Sequence, residues 1–143
     1  MSNTIQLKGD FIREEAMAAA STLPGKPVEK ASTGKFAIVG TEGAEFGAVA
    51  VEDGLQGNPD TEAYVADNVM QANYQGKGNK VKMILKAGQN VAIGARLCVT
   101  TGGLLIAVGS AATATVVKQT VAAEEAVNLS ASGAVDTFIA VRF

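Results

Sequence analysis

Glycine spacing limits this chain more than any other property. Sixteen glycines in 143 residues cut it into short runs rich in Val, Ile, Ala and Thr. Such punctuation reads as many short strands joined by tight turns. The predicted fold is mainly β, a compact β-sandwich or β-barrel with glycine-rich hairpins, an extended N-terminal arm and one short helix. Apolar residues make up 48% of the chain and charged residues 18%, with mean hydropathy +0.20. That is enough apolar material for one core, without the charge excess of a disordered chain. Strands are predicted over 26–30, 35–39, 48–52, 68–72, 80–86, 96–100, 104–108, 114–118 and 137–143.

Two of these alternate cleanly. Val81, Met83 and Leu85 share one face, with Lys80, Lys82, Ile84 and Lys86 on the other, and Ile139, Val141 and Phe143 form a second apolar face. The run from Leu97 to Leu105 carries a strand, a Gly102-Gly103 turn and a second strand. Ser32-Thr33-Gly34-Lys35 plays the same part earlier. The two hairpins share a spacing: Gly25, Val28, Gly34 and Phe36 match Gly94, Leu97, Gly103 and Leu105 at an offset of 69. Ala50 to Asp53 echoes Ala122 to Glu125 at an offset of 72. Glycine hairpins also resemble one another without common origin, so an internal repeat near 25–53 and 94–125 stands beside coincidence.

Residues 1–22 differ from the rest, which is read as one β domain over 23–143. Ile5, Leu7, Phe11 and Ile12 are apolar among polar neighbours, and Arg13 to Ala20 has helical propensity with Asp10 as its N-cap. This segment reads either as a first strand and helix of the domain or as an arm lying on a partner. Charge is lopsided along the chain: residues 1–67 hold eleven acids and five bases, net −6, and 68–143 hold three acids and seven bases, net +4. Such polarity favours an oriented, head-to-tail contact as well as a simple mixed surface.

Chemistry is mostly excluded. With no histidine and one cysteine, Cys98, neither a Ser-His-Asp nor a Cys-His triad can be built, nor a Cys/His zinc cluster. Cys98 reads as packing material in a reducing compartment. Gly76-Lys77-Gly78-Asn79-Lys80 lacks phosphate-loop spacing and leads into a strand. The acid pairs Glu14-Glu15, Glu52-Asp53 and Glu124-Glu125 put adjacent carboxylates on opposite strand faces. Asp60, Thr61, Glu62 and Asp67 lack the order of a calcium loop. No catalytic, cofactor or metal residue is expected, and no enzyme. The lysine row of Lys80, Lys82 and Lys86 suits an acidic protein surface; a pI near 5.1 with few aromatics argues against nucleic acid. The longest apolar runs are five residues, Ala16–Ala20 and Leu104–Val108, so no membrane span is expected, and Met1 to Gln6 has no secretory-signal pattern.

Leu7-Lys8-Gly9-Asp10-Phe11, Pro24-Gly25, Gly34-Lys35, Ala50-Val51-Glu52-Asp53-Gly54-Leu55-Gln56-Gly57, Ala63-Tyr64 and Ala87 to Gly94 together form a recognisable set, ending in Ile139-Ala140-Val141-Arg142-Phe143. The chain resembles the small capsid decoration, or cement, proteins of tailed bacteriophages. The resemblance implies a non-enzymatic virion protein, assembled in the bacterial host cytoplasm. It would bind the outside of the expanded head as a homotrimer and clamp neighbouring major capsid protein subunits. It transfers no list of binding residues. From this sequence alone, the capsid or subunit contacts are assigned to Ile5, Leu7, Phe11, Ile12, Lys80, Lys82 and Lys86. A carbohydrate-binding β module is the alternative, with Tyr64 and Tyr74 as its stacking rings.

Overall fold

The computed structural model describes residues 4–143, and the part of the N-terminal segment at residues 1–3 lies outside them. The chain is mainly β. Its strands are β1 (Gln6–Lys8), β2 (Phe11–Met17), β3 (Pro27–Lys30), β4 (Phe36–Ile38), β5 (Ala48–Ala50), β6 (Val69–Gln75), β7 (Lys80–Leu85), β8 (Asn90–Val91), β9 (Arg96–Thr100), β10 (Leu104–Ala107), β11 (Val121–Ala123), β12 (Val127–Asn128) and β13 (Thr137–Arg142). Short β-branched runs between glycine turns favour this outcome, because each strand needs to bury only one face.

Two helical and strand expectations are corrected. Residues 13–17, predicted helical, belong to strand β2, which pairs antiparallel with β6 along its whole length, from Phe11↔Gln75 to Met17↔Val69. An isolated eight-residue helix is marginal in water, whereas seven cross-strand pairs bring long-range packing. Segment 114–118, predicted as a strand, is irregular; its Lys118 N–H donates to the Gly43 carbonyl at 2.8 Å.

The strands close into two small barrels. In the first, the order is β2-β6-β5-β3-β4, and a parallel bridge from Ala18 to Phe36 joins the end of β2 back to β4. The second runs β7-β13-β11-β9-β10, closed by the parallel pair Leu105↔Leu85, with β1 added on the free edge of β7. Barrel rather than sandwich is therefore the architecture.

Connectivity and register recur between the halves. Val28↔Ile38, Glu29↔Ala37 and Lys30↔Phe36 reappear 69 positions later as Leu97↔Ala107, Cys98↔Ile106 and Val99↔Leu105. The Gly25 N–H donates to the Ala50 carbonyl at 2.8 Å, and Gly94 donates to Ala123 at 2.7 Å. Ala19 donates to Phe36 at 2.8 Å, and Lys86 to Leu105 at 2.9 Å. Both glycines have positive φ, +90° and +83°, a conformation that costs other residues strain. These bonds make Ala50 equivalent to Ala123, an offset of 73 instead of 72. The hairpin offset of 69 grows to 73 because the loop before β11, residues 108–120, is four residues longer than its counterpart 39–47.

The linings differ. The second barrel is filled by Val81, Met83, Leu85, Leu97, Val99, Leu105, Ile139 and Val141, and its core continues into Ile5, Val39, Phe46, Val49 and Val51. The first has a smaller core of Ala18, Val28, Phe36, Ala48, Ala50, Tyr64, Met70 and Ala72. Where the second barrel has Val81 and Val99, the first has Glu14 and Lys30, which form an ion pair.

Candidate interface surfaces

The residues read from the sequence as contacts fall into three environments. Ile5 is fully buried in the shared core, and its N–H donates to the Glu52 carboxylate at 2.9 Å. Pairing of β1 with β7 carries it there. Leu7, two residues on, is 40% exposed and borders a groove of about 700 Å³ with Pro59, Asp60, Lys82 and Phe138. Phe11 and Ile12 begin β2 and lie beside Tyr74 at an open end of the first barrel, with Ile12 74% exposed.

The lysines do not form a uniform row. β7 buries Val81, Met83 and Leu85 on one face, as its alternation requires, but Ile84 on the opposite face is buried too. Lys82 is largely buried, pairs with Asp60 at 3.3 Å and lies 5.9 Å from the Phe138 ring centroid. Lys80 lies 3.6 Å from Glu124, which also meets Arg142 at 3.4 Å. Lys86, just past β7, is exposed. Asp60 and Phe138 were invisible as a pair in the sequence, because loop 51–63 brings Asp60 to Lys82 while the antiparallel pairing of β13 with β7 brings Phe138.

Several carboxylates hold backbone, and others pair with side chains. Glu52 accepts from Ile5, Asp53 from the Gln56 N–H at 3.3 Å, and Glu125 from the Ala140 N–H at 2.9 Å. Glu14 and Glu15 diverge as their strand dictates, to Lys30 and to the Gln71 amide. Asp60 and Asp67 are paired separately, to Lys82 and Lys35. Among the described residues, no three His, Cys, Asp or Glu side chains cluster as a metal site. No helix among them is long and apolar enough to cross a membrane.

Tyr64 offers no open stacking face. It is buried, its hydroxyl donates to the Val51 carbonyl at 2.6 Å, and burial pushes its pKa up to about 12. Burial likewise raises the Cys98 thiol and lowers the Lys26 ammonium, whose Nζ donates to the Gly102 carbonyl.

A polar knot ties the halves together. Gln6 and Gln75 exchange side-chain amide hydrogen bonds at 3.1 and 2.7 Å, and Asn73 and Asn79 donate into the same pair at 3.2 and 3.0 Å. Buried amides are costly unless paired, so this network fixes how β1, β6 and β7 meet.

No protein-family profile matches the chain, and no curated protein matches it in sequence. Its fold is similar to that of a solved structure, the head fiber gp8.5 N base in bacteriophage phi29. The likeness has a TM-score of 0.57 and 10% sequence identity, and covers 94% of each chain. Two proteins this distant in sequence share the architecture described above.

Proposed function

We propose that this chain is a non-enzymatic structural protein of a phage virion, one that binds the outer surface of the expanded head as a homotrimer and stabilises contacts between major capsid protein subunits. The observation that carries the reading is the end-to-end likeness in fold to the base of a phage head fiber. The decoration-protein resemblance in sequence points the same way by an independent route. The engaged state of most acidic side chains leaves binding as the economical role. A trimer that engages several capsid subunits gains effective concentration, so modest contacts add up to a durable clamp. Binding to the expanded lattice alone would stabilise that state by mass action. The accessible candidates for contact are Leu7, Phe11, Ile12 and Lys86; Ile5 serves the core.

Co-sedimentation of the purified protein with undecorated expanded heads and with unexpanded shells tests this. Saturable binding to expanded heads alone is expected, and Ile12→Ser or Lys86→Glu should weaken it at least tenfold. Failure to bind either particle would overturn the proposal.

A further inference from the structure

We infer that the gap beside Lys30 in the first barrel receives the loop after β10, residues 108–116, of a second copy, so that copies associate head to tail. This rests on the homo-oligomeric reading above.

The second barrel contains a filled version of the same gap. Beyond the pair Leu97↔Val121, β9 and β11 separate, and the first half inserts its own segment between them. The Gly43 N–H donates to the Val99 carbonyl at 2.8 Å, and the Lys118 N–H donates to the Gly43 carbonyl at 2.8 Å. Glu42 holds the inserted segment by accepting from the Thr115 hydroxyl at 2.7 Å and the Ala112 N–H at 3.3 Å. The fit is close: Gly43 has φ +75°, and a Cβ there would stand 2.8 Å from the Val116 carbonyl oxygen.

In the first barrel, β3 and β5 separate at the equivalent place, beyond Val28↔Ala48. Lys30 is the counterpart of Val99. Ala31 bonds Lys35 and Val39 bonds Pro27, so odd-numbered residues of this stretch face β4 and the backbone of Lys30 faces the gap. Among the described residues, neither backbone group of Lys30 meets a hydrogen-bond partner. A cavity of about 430 Å³ lies beside it, lined by Glu29, Glu45, Phe46 and Gly47 and, from the chain's own second half, by Lys118 and Gln119, whose side-chain oxygen accepts from the Phe46 N–H at 2.9 Å. An exposed strand edge of this kind is a template for another extended segment.

Equivalence points to the occupant. The segment that fills the second barrel follows β4, and its counterpart follows β10. That loop is four residues longer than its equivalent; Ala112, Thr115 and Val116 pack on Glu42 and Gly43 of the same chain, and Gly109, Ser110, Thr113 and Ala114 are the exposed part that remains to enter a second copy. It is uncharged from Val108 to Val116, so its entry adds no charge to a cavity that already holds Glu29, Glu45 and Lys118. Charge supports the orientation: the half carrying the gap is net −6 over 1–67, and the half carrying the loop is net +4 over 68–143. A gap on one half and a loop on the other make a heterologous contact, which closes into a ring when the rotation allows.

The test uses the full chain in a Cys98→Ala background. Glu29→Cys and Thr113→Cys variants are mixed, oxidised and run without reductant, and light scattering gives the mass of the wild type. A mixed disulfide between the two variants, absent from either alone, is expected, with a wild-type mass that is a multiple of 14.5 kDa. Deleting residues 110–113 should return that mass to a single chain with an unchanged far-ultraviolet spectrum. An oligomer without the cross-link overturns this contact alone, a monomer overturns the homotrimer as well, and head binding is measured separately by co-sedimentation.

Discussion

Gly25 and Gly94 allow a matched test of packing, because they occupy equivalent turns with the same hydrogen bond and similar positive φ. Alanine at Gly94 meets nothing within 4 Å, so its cost is backbone strain alone, about 1–2 kcal/mol. Alanine at Gly25 carries the same strain and also places Cβ 2.8 Å from Cε1 of Phe138. Overpacking of this kind adds about 1–3 kcal/mol. Phe138 borders the groove with Leu7 and Lys82 and a second cavity of about 200 Å³, so its ring has room to give way. That places the addition near the low end, about 1 kcal/mol. Gly25→Ala should therefore lose about 2–3 kcal/mol in total, against 1–2 for Gly94→Ala, as the sum of those two costs. Guanidinium unfolding of both variants at neutral pH measures the difference. Equal losses, or a greater loss at Gly94, would refute the packing argument.

Three further outcomes are expected. Tyr64→Phe removes the hydroxyl from a buried Val51 carbonyl and should cost about 1–3 kcal/mol in chemical denaturation. Because folding raises this phenol from its ordinary pKa near 10 to about 12, the folded state holds the proton more tightly. The resulting stability is complete below pH 10 and lost as pH rises toward 12, so wild type should show an alkaline loss of melting temperature across that window that Tyr64→Phe lacks. Lys82→Ala leaves Asp60 buried without its ammonium and should cost about 3 kcal/mol, seen as a lowered melting temperature. Ile5→Ala opens a cavity in the shared core and should cost about 2–5 kcal/mol, an effect an unattached arm would not produce.

Much of the architecture was legible along the chain. The alternation of β7, the turn after β9 and the offset of 69 between hairpins are local patterns, and a pleated backbone converts a period of two directly into one buried face. The helix expected over Arg13 to Ala20 failed because propensity is a local preference worth tenths of a kcal/mol per residue, and a seven-residue partner strand outweighs it. The lysine row was read correctly as one face of a strand, yet Lys82 and Ile84 are covered by loop and strand residues distant in sequence. No periodicity within β7 carries that information.

By itself, then, the sequence determined that this chain folds as short strands, that with no histidine and one cysteine it cannot build a Ser-His-Asp or Cys-His triad or a Cys/His zinc cluster, and that its halves echo one another in spacing and oppose one another in charge. Tertiary structure alone decided that the strands close into barrels, that Ile5 is core, and that Val99 receives a segment of the first half while Lys30 is left facing a gap. The physical reason is range. Turns and strand faces follow from φ, ψ and side-chain alternation over a few residues, whereas closure, burial and an unpaired strand edge depend on which remote segments meet.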